Sequence, residues 1–243
     1  DGTTDGTLQL NCSQNSHGVK IASPAHSAGQ SYTLTLPTGN VTADKFLKVA
    51  SVSGSGTTGI GQLSFADASG GMQLLATTTI SDDSSVAFDS SLITDTHQSY
   101  KLIIENLRSG TDSVYLSFQV SSDNGSNYIT SGYSRFVYYG DTGGNVGNSG
   151  GDGTKVGLQL NGSSALGNAG REALHGEITI FGLRSTVTDI ASIHHVQFSK
   201  TNAVPQVEIG GSYYATATAM NNIKLVANSG NLASGRIKLY GFN

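Results

Sequence analysis

Apolar and polar residues alternate with a period of two through most of this 243-residue chain, the spacing of strands that rest one face on a core. Two segments carry the pattern most sharply. Gly176-Glu177-Ile178-Thr179-Ile180-Phe181-Gly182-Leu183 and Gly235-Arg236-Ile237-Lys238-Leu239-Tyr240-Gly241-Phe242 both read Gly, charged, Ile, polar, aliphatic, aromatic, Gly, apolar. Tyr100-Lys101-Leu102-Ile103-Ile104-Glu105-Asn106-Leu107 is a looser relative. Ile178, Ile180, Ile237 and Leu239 share one alternation phase, so 176–183 and 235–242 are predicted core strands. Similar runs predict strands over 73–80, 84–88, 99–107, 113–120, 127–138, 155–160, 193–199, 205–209 and 222–227. Turn signals at this spacing predict an antiparallel β-sandwich over residues 72–243.

The beginning of the chain reads differently. Leu8–Cys12, Gly18–Ile21 and Ser31–Leu36 are short alternating runs, and Pro37 ends the third. Residues 51–62, with Ser53-Gly54-Ser55-Gly56, read as a flexible join, and 63–66 as one more short strand. The expectation is a short N-terminal β unit over 1–66, used for docking or as a stalk, and a linker at 67–71. Strands this short bury little, and an isolated hairpin is marginal in water. Such a unit needs copies of itself around an axis, or the body of the domain. No segment has sustained helical periodicity. Residues 91–96 read as a turn, and 163–174, interrupted by Gly167 and Gly170, as a long loop or a single turn. Residues 140–154 hold seven glycines and read as a long exposed loop, a place where function or mobility concentrates.

Composition narrows the partners. Charged residues are 12% of the chain, against about 25% in an average soluble domain. A net charge of −4 makes no electrostatic case for nucleic acid or an anionic membrane. No apolar run approaches the ~18 residues of a spanning helix. A single cysteine, Cys12, excludes an intrachain disulfide framework. The first residues are polar and do not begin with Met, which reads as a leader or upstream domain removed or not included.

Catalytic vocabulary is sparse. No Gly-x-Ser-x-Gly elbow stands at a strand-to-helix turn. Glutamates are limited to Glu105, Glu172, Glu177 and Glu208, and Glu177, whose counterpart in the repeat is Arg236, reads as a solvent-face residue. Asp82, Asp83, Asp89 and Asp95 lack the ligand spacing of a calcium loop. His194 and His195 are adjacent in a strand and point to opposite faces, so they do not share a metal. The expectation is a non-enzyme with no metal and no cofactor. Ser121-Ser122-Asp123-Asn124-Gly125-Ser126-Asn127-Tyr128 matches Ser-x-Asp-x-Gly-x-x-aromatic and resembles the Asp-box hairpin of sialidases and other carbohydrate-active β proteins. There it is a fold device: the Asp accepts backbone N–H groups across the turn and Gly takes a positive φ.

Aromatic residues point to a contact surface. Tyr128, Tyr133, Phe136, Tyr138 and Tyr139 precede the Gly-rich segment, and Tyr213-Tyr214 follow Gly210-Gly211. Tyrosine offers a flat apolar face with a polar tip, suited to stacking on sugar rings; alternate members, Phe136 among them, serve equally well as core. The candidate ligand-contacting residues are Tyr133, Tyr138, Tyr139, Asn145, Asn148 and Asp152.

The opening unit resembles a segment of virion proteins of marine bacteriophages. The matching residues run from Gly6-Thr7-Leu8-Gln9-Leu10-Asn11-Cys12 through Asn15-Ser16-His17-Gly18-Val19-Lys20-Ile21 and Ser23-Pro24-Ala25-His26-Ser27-Ala28 to Ser31-Tyr32-Thr33-Leu34-Thr35-Leu36-Pro37. The remainder is similar to the C-terminal jelly-roll modules of phage fibres, in the Tyr-Lys-Leu-Ile-Ile start at Tyr100 and the closing strand Ser234 to Gly241. The resemblance implies a homotrimeric tail fibre or receptor-binding module of a virion, in contact with other virion proteins and with a host surface glycan or protein. The alternative is a capsid decoration, head-fibre or tail-adaptor protein with a purely structural role. A polysaccharide depolymerase would be expected to show a long parallel β-helix with short-period repeats, and none is present.

Overall fold

The computed structural model describes residues 6–14, 17–66 and 71–243; Asn15, Ser16, most of the predicted linker and the first five residues lie outside them. The chain divides into two units, 1–69 and 70–243.

The first unit holds strands β1 (Thr7–Asn11), β2 (Gly18–Ala22), β3 (Tyr32–Thr35), β4 (Phe46–Ser53) and β5 (Gly59–Ala66). β1 and β2 form a two-stranded antiparallel sheet that sets Leu8 opposite Ile21 and Leu10 opposite Val19. β5 lies between β3, to which it runs parallel, and β4. Alternation along these strands gathers Leu34, Gly61, Leu63, Phe65, Leu47 and Val49 on one face. The predicted flexible join over 51–62 is thus corrected: it contains the end of β4, a 3-10 turn at Gly56–Thr58 and the start of β5. Period-two reading fails here because the register of β4 shifts between Val49 and Ser51, and a bulge moves the apolar phase to the other face.

The second unit is all-β: β6 (Gln73–Asp83), β7 (Val86–Phe88), β8 (Ser99–Ser109), β9 (Leu116–Ser121), β10 (Tyr133–Asp141), β11 (Val146–Lys155), β12 (Leu158–Gln159), β13 (Leu174–Phe181), β14 (Ile190–Ser199), β15 (Pro205–Tyr214), β16 (Asn222–Ala227) and β17 (Leu232–Phe242). An eight-stranded sheet has the order β11-β10-β15-β14-β13-β8-β17-β6, and a four-stranded sheet the order β12-β9-β16-β7. Every ladder in both is antiparallel. Inward residues of the two sheets, Leu102, Ile178 and Leu239 from the large and Phe88, Phe118 and Leu225 from the small, belong to one buried cluster. This is a sandwich-like arrangement.

The sequence repeat has a structural meaning. β13 and β17 flank β8, the looser third relative, on its two sides. Ile178 and Leu239 both register with Leu102, and Ile180 and Gly241 with Tyr100, so three like strands lay their aliphatic residues in one buried row. The glycine that opens each copy sits at a register shift, with φ +143 at Gly176 and +140 at Gly235. These are values that L side chains avoid, and the glycines let the strands bend at matching points.

The Asp-box turn forms as predicted at its centre. Asp123 accepts the Asn127 backbone N–H at 2.8 Å, the Asn127 side-chain amide at 2.7 Å and the Ser121 hydroxyl at 2.7 Å, and these bonds hold its carboxyl down to about 2. Gly125 has φ +89. The turn does not close a hairpin, however. It carries the chain from β9 in the small sheet toward β10 in the large one. The strand predicted over 127–138 accordingly begins only at Tyr133.

Candidate functional site

The predicted long loop over 140–154 is a strand for most of its length. β11 pairs with β10 from Gly140↔Val146 to Tyr133↔Lys155, with an irregularity between Tyr133 and Arg135. The turn is tied down. Asp141 accepts the Asn145 backbone N–H and side-chain amide, each at 3.0 Å, and an ammonium hydrogen bond from Lys200 at 2.5 Å. Lys200 first, then Asn145, holds the Asp141 carboxyl well below the usual carboxylate range.

The six predicted contact residues do not form one surface. Tyr133 is fully buried. Its hydroxyl donates to the Ile129 carbonyl and accepts the Val120 N–H, both at 3.2 Å, and its ring lies 4.7 Å from that of Tyr214. It is a core residue, not a contact. Tyr138 and Tyr139 are neighbours in a strand and therefore part to opposite faces; Tyr138 is 62% exposed, while the Tyr139 ring lies against Gly147. Asn145 is occupied in the turn. Asn148 stands opposite Tyr138 in the ladder. Asp152 accepts the Ser134 hydroxyl at 2.5 Å.

Strands β10, β15 and β14 bury Tyr133, Val137, Ile190, Val196 and Phe198 on their inward side, with polar groups set among them. Their inward side carries Arg135, Glu208, Gln206, Ser212, Ser192 and His194, all buried. Arg135 donates to Gln159 at 2.7 Å, to Ser149 at 2.8 Å and to the Gly162 carbonyl. Glu208 accepts the backbone N–H groups of Gly162 and Ser163 at 2.8 and 3.0 Å and the Gln206 amide at 2.9 Å. Burial raises the Glu208 carboxyl against these donors. The outward side carries Phe136, Tyr138, Ile193, Val207, Ile209 and Tyr213, each at least 40% exposed. Elsewhere on the same outer face charges pair instead: Lys101 with Glu177 at 2.7 Å, and Glu105 with Arg236 at 2.5 Å and Lys238 at 2.8 Å. Contiguous exposed apolar surface rimmed by polar groups marks interaction sites.

An open groove of about 680 Å3 lies on this apolar part. Phe136, Tyr138 and Tyr213 are among its lining residues, with Ile209 and four glycines, Gly150, Gly151, Gly210 and Gly211. Phe136 registers with Gly150 on one side and Gly211 on the other. A Cβ at Gly211 would meet the Ser192 carbonyl at 2.4 Å, so strand packing fixes glycine there and a bare floor follows. The Phe136 and Tyr138 rings meet edge to face at 4.9 Å. The Tyr213 hydroxyl donates to Asp189, and Asp189 also accepts the Thr216 N–H at 2.8 Å. A hydroxyl–carboxylate pair thus stands at two places beside the groove, Ser134–Asp152 and Tyr213–Asp189.

Sequence reasoning reached Tyr138 and Asp152, and placed Tyr213 among the notable aromatics. It missed the groove, because Phe136, Gly150 and Gly211 become neighbours only through cross-strand register. No group of three or more His, Cys, Asp or Glu suited to a metal occurs among the described residues. No family model, no curated protein and no solved structure matches this chain.

Proposed function

We propose that this chain is a structural protein of a bacteriophage virion, a homotrimeric tail fibre or receptor-binding module. The opening unit assembles it, and the groove on β10, β11, β14 and β15 meets the host surface. The observation that carries the reading is the contrast between the two units. Among the described residues of the opening unit, only Gly61 is buried. Leu8, Leu10, Val19, Ile21, Leu34, Leu47 and Val49 all expose about half or more of their area. A two-stranded sheet is marginal at best in water, and exposed apolar faces such as these acquire a core when copies cover them. The second unit has a contiguous core of its own.

Strand order supports reading the second unit as an enlarged jelly roll. Without β10, β11, β14 and β15, the two sheets run β6-β17-β8-β13 and β7-β16-β9-β12, the order of a two-Greek-key jelly roll. The remaining strands enter as two hairpins, one between β9 and β12 and one between β13 and β16. Both extend the large sheet beyond β13. The groove is lined by these additions, in keeping with function residing on what is grafted onto a scaffold.

The test uses the parent particle. Antibody against this chain should label the tail tip in electron micrographs, and the purified chain should reduce particle adsorption to host cells in a concentration-dependent way. Label on the capsid shell with no effect on adsorption would assign it instead to decoration or a head fibre.

A further inference from the structure

We propose that the groove over β10, β11 and β15 is a binding site for a neutral hexose-type glycan, which stacks a pyranose face on the aromatic side chains and donates hydroxyl hydrogen bonds to the carboxylates beside it. This rests on the host-contact reading above and names the chemistry of the ligand.

Three features select that chemistry. Size is the first: about 680 Å3 falls within the roughly 300–1,000 Å3 of small-molecule sites, enough for one or two sugar rings. The second is shape. Side-chain-free floor at Gly150 and Gly211 lies on either side of Phe136, with Tyr138 and Tyr213 in the same lining. The C–H-rich face of a pyranose fits the flat face of a single aromatic ring, which loses little conformational entropy on contact. Tyr213 is held in place by its bond to Asp189.

Charge is the third feature, and it decides between occupants. Asp152 lines the groove and is exposed, and so is Asp189 beside Tyr213. Asp152 is bonded to a serine and Asp189 to a tyrosine and a backbone amide, all neutral donors. The Arg135 guanidinium, although in the lining, is engaged inward by Gln159, Ser149 and Gly162. Lys155 packs over Gly151 and brings an ammonium close by. An anionic sugar would face two carboxylates. A second copy of this chain pressed on the face would bury those carboxylates, and interface cores are depleted of charge because burial without a cation is costly. A neutral polyol leaves them hydrogen-bonded and partly hydrated.

The experiment is saturation-transfer NMR on the intact chain with methyl glycosides of glucose, galactose, mannose and N-acetylglucosamine, and with galacturonate. At least one neutral glycoside should receive saturation at its ring protons and galacturonate should not. Tyr138→Ala should weaken binding about tenfold, Tyr138→Phe should retain it, and Phe181→Ala, on the same outer face outside the groove lining, should have no effect. Circular dichroism of each variant establishes that it is folded. The proposal is overturned if no neutral glycoside binds, if galacturonate binds best, or if Tyr138→Ala binds as the parent does. It is also overturned if residues 71–243 alone associate and Tyr138→Asp makes them monomeric, since the face then belongs to a second copy. A monomeric intact chain that still binds glycoside would refute the trimer and leave this inference standing; a trimer that binds none would do the reverse.

Discussion

His194 is buried, and neither of its ring nitrogens has a hydrogen-bond partner. Burial first, then the positive charge of Arg135 and the neighbouring His195, push its imidazole down from 6.5 to about 4. The unfolded chain therefore binds this proton more tightly than the folded one. Stability from the neutral ring is complete above the ordinary histidine range and is lost as pH falls toward 4. The full linkage is about 3 kcal/mol. Glu208 acts with the opposite sign: its raised carboxyl contributes stability below the ordinary glutamate range, lost as pH rises through its folded value. His194→Leu removes an unsatisfied polar group from an apolar-sized site. Urea unfolding at pH 7 and pH 4.5 should give a variant at least as stable as the parent at pH 7 and with a smaller acid-side loss. An unchanged loss would mean that His194 does not govern it.

Among the elements, β13 and β17 are held to β8 by paired aliphatic rows and by glycines that bend both strands. A Cβ at Gly176 would meet the His195 carbonyl at 2.2 Å, and one at Gly235 the Leu107 Cα at 2.8 Å. Gly176→Ala and Gly235→Ala should each cost about 2 kcal/mol, read as a lower urea midpoint with an unchanged slope. A loss below the error of measurement would show that the bend tolerates a side chain. Leu239→Asp, which places a charge in the row Ile178–Leu102–Leu239, should prevent folding altogether, visible as loss of the β-sheet circular dichroism signal. These strands were legible in the sequence because burial on one face imposes period two. β11 was not. Val146–Lys155 holds hardly any strand-forming side chains and is a strand because β10 offers it a backbone ladder at the sheet edge. β4 hid behind its bulge. Sandwich-like alternation could be read from turn spacing, but the place of the β10–β11 and β14–β15 hairpins in the large sheet could not, since nothing local says that β15 pairs with β10 across some seventy residues. For the same reason Tyr138 and Asp152 could be picked out singly, while Phe136, Gly150, Gly211 and Ile209 could not be seen as one surface.

At the scale of the whole molecule, the chain joins a unit with almost no interior among its described residues to a unit with a contiguous core of its own. In the first unit apolar residues share faces, Leu8 and Leu10 with Ile21 and Val19, and Leu34 with Val49 about Gly61, although a bulge interrupts the β4–β5 ladder. A strand pattern that regular, left bare, is the pattern of a surface meant to be covered. Trimeric assembly would present three grooves at once, and weak single contacts would add as avidity. The measurement that tests this account most directly is multi-angle light scattering of the intact chain and of residues 71–243 at micromolar concentration. The account predicts three times the 25.0 kDa chain mass for the intact protein and a folded monomer for the shortened one. A monomer mass for the intact chain, with its opening strands still formed by circular dichroism, would contradict it.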